Sequence, residues 1–113
     1  MTRPYCPKAG DVVWLSFSPQ SGREHAGHRP ALTLTPESYN RKVGLALFCP
    51  ITTKPKGFPF EVALPPGLKA TGVVLSDHVK SMDWQARNAR FGCKVPASVL
   101  AEVKERLEAL LEG

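Results

Sequence analysis

A chain of 113 residues suffices for one domain and is too short for a second hydrophobic core, so residues 1–113 are expected to fold as one unit. Its apolar content of 42% fits a globular protein, and no apolar run reaches the length of a membrane span. The net charge of +5 is uneven: residues 1–95 hold 13 Lys and Arg against 6 Asp and Glu (+7), and residues 96–113 hold 2 against 4 (−2), so the body of the chain attracts polyanions.

The first residues, Met1 to Pro7, lack the apolar core of an export signal. Cys6, Cys49 and Cys93 are odd in number, widely spaced and free of any C-x-x-C, which argues against a disulfide framework or a zinc site and for the cytoplasm. "DVVWLSF" (11–17) alternates at period two, with Val13, Leu15 and Phe17 on one face and Val12, Trp14 and Ser16 on the other. Residues 18–29 make a connection too long for a simple hairpin, the kind that is usually functional or disordered. "PALTLTP" (30–36) alternates again, and "ESYNR" (37–41) suits a helical turn.

"GLALFCPIT" (44–52) is a nearly continuous apolar run, the mark of a strand buried on both faces, with Cys49 as a small core residue. "FEVAL" (60–64), "GVVLSDHVKSM" (72–82) and a short piece near "RFGCKV" (90–95) complete the predicted strands. From Pro96 the period becomes helical: Val99, Val103, Leu107 and Leu110, flanked by Leu100 and Leu111, form a stripe predicted to pack as core. Short strands closed by a terminal helix predict a small twisted barrel or sandwich.

Three segments concentrate chemistry. "GREHAGHRP" (22–30) holds an acid, two imidazoles and two arginines. Arg29 precedes Pro30, which keeps its backbone extended where the second strand starts and suits it to meet an anion. Glu24 is a candidate general base or an arginine partner, and His25 and His28 can move protons near neutral pH. The same residues also fit a solvated loop with a surface ion pair of little consequence. "CPITTKPKGFPFEV" (49–62) runs Thr52 and Thr53 into Lys54 and Lys56, hydroxyls beside cations that suit a phosphate. A threonine pair also satisfies strand-end backbone groups as a matter of course. Phe58 and Phe60 interleave aromatics with these lysines, as single-strand binders do. "SDHVKSMDW" (76–84) offers Asp77, His78 and Lys80, with Trp84 read as core. The motifs of P-loop nucleotidases, HExxH zinc proteases and GxSxG hydrolases are all missing.

Taken together and in order, "GREHAGHRPALTL", "CPITTKPKGFPFEV" and "VVLSDHVKSMDW" resemble the MazF/PemK family of toxin endoribonucleases, with likeness over nearly the whole chain. The resemblance implies a small SH3-like β-barrel with a C-terminal helix, of the MazF/PemK/CcdB-like kind, and usually a homodimer. It implies metal-independent, cofactor-free cleavage of single-stranded RNA at short sequences such as an ACA-containing site. It also implies inhibition by a cognate antitoxin, MazE-like, whose acidic segment wraps the toxin. The family's arginine falls on Arg29, its threonine on Thr52, and the glutamate of close relatives on Glu24. Arg23, His25, His28, Thr53, Lys54, Lys56, Phe58, Asp77, His78 and Lys80 are the expected RNA contacts. His78 and His25 depart from the glutamines usual in relatives, which bears on base preference and pH optimum.

Two other readings use the same fold. One is a non-catalytic toxin acting on DNA gyrase. That sibling depends on an aromatic near its C-terminus, whereas this chain ends Leu110-Leu111-Glu112-Gly113. The other is a barrel that binds RNA without cutting it, which leaves Arg29 and Thr52 without a special purpose.

Overall fold

Side-chain alternation along three central strands decides how this chain packs, because it gives the sheet two apolar faces instead of one. The computed structural model describes residues 4–16 and 28–113. In chain order these form β1 (Asp11–Ser16), β2 (His28–Thr33), α1 (Glu37–Val43), β3 (Ala46–Thr52), β4 (Glu61–Ala63), β5 (Val73–Leu75), β6 (Lys80–Met82), β7 (Arg90–Lys94) and α2 (Ala97–Glu112). All strand pairs are antiparallel, in the order β4-β5-β3-β2-β1-β7, with β6 added to β3. Among the described residues no ladder joins the ends of this path, so the sheet is open.

On one face Val12, Leu32, Cys49 and Ile51 meet Val99 and Val103 of α2. On the other Val13, Leu15, Ala31, Ala46 and Phe48 meet Met82 and Trp84. The continuous apolar run of β3 is thus buried on both sides, as its composition predicts, with Phe48 and Cys49 fully enclosed. Trp84 is core, and its Nε1 donates to the Asn40 carbonyl at 3.0 Å. Asn40, on α1, is buried with its amide spent: Nδ2 donates to the carbonyls of Pro7 (2.8 Å) and Thr35 (2.9 Å), and Oδ1 accepts from Thr35 Oγ1 (2.6 Å). A satisfied polar group of this kind fixes how α1 seats on the sheet.

Two expectations need correction. The predicted strand over 72–82 is broken: β5 ends at Leu75, a turn follows in which the His78 N–H donates to the Leu75 carbonyl, and β6 starts at Lys80. The turn lets the chain leave the β3 edge beside Ile51–Thr52 and return to it beside Ala46–Phe48. The helical stripe is core only in its first half. Val99 and Val103 are buried, but α2 outruns the sheet, leaving Leu110 about half exposed and Leu111 77% exposed.

Candidate functional site

Arg29 and Thr52 lie 23 residues apart in sequence and are brought together by strand register. Ala31, Leu32 and Thr33 of β2 pair with Pro50, Cys49 and Phe48 of β3, and extending that ladder by two residues sets Arg29 across from Thr52. Both line one cavity of about 420 Å³ together with Trp14, Pro30, Ile51, Thr53, Lys54, Lys69, Ala70 and Thr71. Among the described residues its charged lining consists of Arg29, Lys54 and Lys69, with no carboxylate. Three cations around three threonine hydroxyls make a site for a phosphate group.

The backbone under Thr52 is held from a second side. Thr52 pairs with Val73, and Gly72 has φ +111°, where a Cβ would stand 2.0 Å from the Thr52 carbonyl oxygen. Only glycine permits this approach. A second glycine makes room for Trp14: the β1–β7 ladder shifts register between Val12 and Val13, and a Cβ on Gly92 would stand 3.0 Å from Trp14 Nε1. The indole is left partly exposed, forming a wall of the cavity.

A second cavity of about 380 Å³ shares Thr52 and Lys54 with the first and adds Lys56, Phe58, Phe60, Glu61, Leu75, Asp77 and His78. The segment between β3 and β4 is tied down by side-chain acceptors. Thr52 Oγ1 accepts the Lys54 N–H (3.1 Å), and the two oxygens of Glu61 accept the N–H groups of Lys56 (3.0 Å) and Gly57 (3.1 Å). Phe58 and Phe60 stack at a tilt with centroids 5.8 Å apart, and Phe58 is about half exposed. Asp77 keeps acceptor capacity unspent: its buried Oδ1 has no hydrogen-bond partner among the described residues, and His78 Nε2 stands 3.7 Å away. Burial pushes the neighbouring Cys49 thiol up to about 12, with the Asp77 charge adding to the effect, so this cysteine stays a neutral core group.

Of the residues singled out from sequence, Arg29, Thr52, Thr53 and Lys54 meet in the first cavity, and Thr52, Lys54, Lys56, Phe58, Asp77 and His78 in the second. His28 opens β2 opposite Ser16, and Lys80 opens β6 opposite Phe48; neither lines these cavities. Arg23, Glu24 and His25, with Phe17, lie outside the described residues. Sequence reasoning missed Lys69 and Thr71, which sit in "PPGLKATG", a stretch resembling any surface turn. No group of three His, Cys, Asp or Glu side chains among the described residues is placed to hold a metal ion, and no helix there is long and apolar enough to cross a membrane.

Comparison with known proteins places this geometry. A family model described as the PemK-like, MazF-like toxin of type II toxin–antitoxin systems matches residues 8–111. The endoribonuclease toxin MazF of Escherichia coli K12 is 44% identical over 111 residues, spanning 98% of this chain and 99% of that protein. The crystal structure of MazF from Deinococcus radiodurans superposes with a TM-score of 0.88 at 51% identity, covering 97% of this chain and 100% of the other. A MazE-MazF crystal structure from the same organism matches at 0.86 and 48% identity, covering 96% and 97%.

Proposed function

The chain belongs to the PemK-like, MazF-like toxin family of type II toxin–antitoxin systems, and on that premise we propose that it is a sequence-specific endoribonuclease cutting single-stranded RNA at the Arg29–Thr52 cavity. The observation that carries this reading is the convergence of Arg29 and Thr52, with Lys54, on one cavity. RNA supplies its own nucleophile. The ribose 2′-oxygen attacks phosphorus while its proton passes to a base, and the bond from phosphorus to the 5′-oxygen breaks. The products are a 2′,3′-cyclic phosphate and a 5′-hydroxyl. Glu24 is the first choice for the base and His28 the second. Arg29 supplies a fixed fork for the non-bridging oxygens of the phosphorane. Thr52 already accepts the Lys54 N–H, which orients its hydroxyl and leaves the O–H proton to donate to the phosphate. Phe58, Lys56, Asp77 and His78 hold the adjoining nucleotide in the second cavity, by stacking and base-edge contacts. Arg23, His25, Thr53 and Lys80 extend the contact along the strand.

The same proposal includes an SH3-like curvature of the sheet, because β3 divides one edge between β6 and β5 as a sheet curling upon itself does. It includes a homodimer in the cytoplasm, whose interface accounts for exposed Trp14, Leu110 and Leu111. It also includes a cognate acidic antitoxin, which competes with RNA for the cations of the cavity. Incubating the purified protein with a long single-stranded RNA in EDTA tests the central claim. Discrete fragments ending in cyclic phosphate are expected, and deoxyribose at the cleaved nucleotide is expected to abolish the cut. Intact but shifted RNA, or cleavage that persists without the 2′-hydroxyl, overturns it.

A further inference from the structure

We propose that Lys69 is the general acid of the cleavage step, protonating the 5′-oxygen as it leaves. The inference rests on the endoribonuclease reading and adds a catalytic residue to it. The leaving alkoxide needs a proton, and the first cavity restricts what can supply one. Among the described residues its lining side chains with exchangeable protons are Arg29, Lys54, Lys69, the hydroxyls of Thr52, Thr53 and Thr71, and the Trp14 indole N–H, which is far too weak an acid to serve. Arginine is never deprotonated in a protein, and a threonine hydroxyl is itself an alcohol, no better an acid than the group it would serve. That leaves the two ammonium groups. Lys54 also lines the second cavity, beside Glu61 and Asp77, where the strand continues. Lys69 lines the first cavity alone.

Its position is defined by the segment that carries it. Ala70, the next residue, is buried in the core that includes Ile51 and Val62. Two residues further, Gly72 presses on the Thr52 carbonyl with no room for a Cβ. The segment bearing Lys69 is thus seated against the backbone of the residue proposed to hold the phosphate. Lys69 is exposed, and it makes no ion pair among the described residues, so its ammonium is uncommitted. The step balances: the 2′-oxygen forms its bond to phosphorus, the bond to the 5′-oxygen breaks, and the Lys69 Nζ proton moves onto that oxygen. The neutral amine then recovers a proton from water.

Sulfur in place of the 5′-bridging oxygen provides the test, because a thiolate leaves without protonation. On the ordinary RNA, Lys69→Met and Lys69→Arg are expected to lower kcat by about a hundredfold, the scale of losing general acid catalysis. On the 5′-thio substrate both variants are expected to match the wild type within a few-fold. Lys54→Met is expected to be slowed equally on both substrates. A Lys69 variant equally slow on both, or no slower than wild type on the oxygen substrate, overturns the assignment while leaving the nuclease intact. A wild-type protein that cuts neither substrate overturns the endoribonuclease reading and this step with it. Lys69 is exposed, so the variants fold, and matching thermal transitions confirm it.

Discussion

At the scale of single residues, the site separates groups that hold a phosphate from groups that hold the chain. Thr52 does both, accepting the Lys54 N–H while offering its proton to the cavity. Thr52→Ser keeps both bonds and is expected to retain most activity. Thr52→Val loses both, and kcat in the RNA cleavage assay is expected to fall by about a hundredfold, as for the loss of one preorganised donor. Arg29→Ala is expected to cost at least as much, without a change in the unfolding midpoint, since Arg29 is an exposed residue on β2. Cys49 makes a separate prediction about stability. In the folded protein its thiol holds its proton up to about 12, whereas the unfolded chain releases it near 9.0. Between these values the unfolded state binds fewer protons than the native state, so stability falls as pH rises. Urea titrations from pH 8 to 12 are expected to show a steeper alkaline decline in wild type than in Cys49→Ala.

The elements show why one turn of the backbone matters as much as the side chains around it. Gly72→Ala meets two penalties, the left-handed φ and a collision with the Thr52 carbonyl. Gly67, at φ +92°, has nothing within 4 Å of a Cβ, so Gly67→Ala carries the φ penalty alone. That penalty is about 1–3 kcal/mol. Gly72→Ala is expected to lose clearly more in urea unfolding and also to lose cleavage activity, whereas Gly67→Ala keeps its activity. Equal losses from the two substitutions would show that the contact with Thr52 does not hold the site. The strands themselves were legible from alternation and from the apolar run of β3, because burial on defined faces is what patterning records. The break after Leu75 was not, since "VVLSDHVKSM" stays strand-like through it and only the two-part pairing with β3 requires the turn. Nor did composition mark where α2 passes the edge of the sheet, because Leu110 and Leu111 continue the same helical period. Arg29 and Thr52 were legible as chemistry in their own segments, whereas their meeting follows from a register that no local pattern contains. Lys69 carried no local signal at all.

For the whole molecule, charge placement governs encounter with a polyanion. Of the 13 Lys and Arg over residues 1–95, Arg29, Lys54, Lys56 and Lys69 line the two joined cavities, with Glu61 and Asp77 in the second. Four phosphate contacts on a single strand correspond to a slope of about −3 in log affinity against log salt, from about −0.7 for each contact. Binding of an uncleavable RNA bearing deoxyribose at the cut site is therefore expected to weaken on the order of fiftyfold between 50 and 200 mM salt. Reversing Lys54 and Lys56 together to glutamate is expected to reduce the slope by about half and to weaken every RNA sequence alike, since contacts to phosphate carry no base information. Fluorescence anisotropy over a salt series, with three unrelated sequences, measures both quantities. An effect confined to one sequence would show that these lysines read bases. In that case the stacking cavity of Phe58 and Asp77 extends across Lys54, and the phosphate is held by Arg29 and Thr52, with Lys69 beside them.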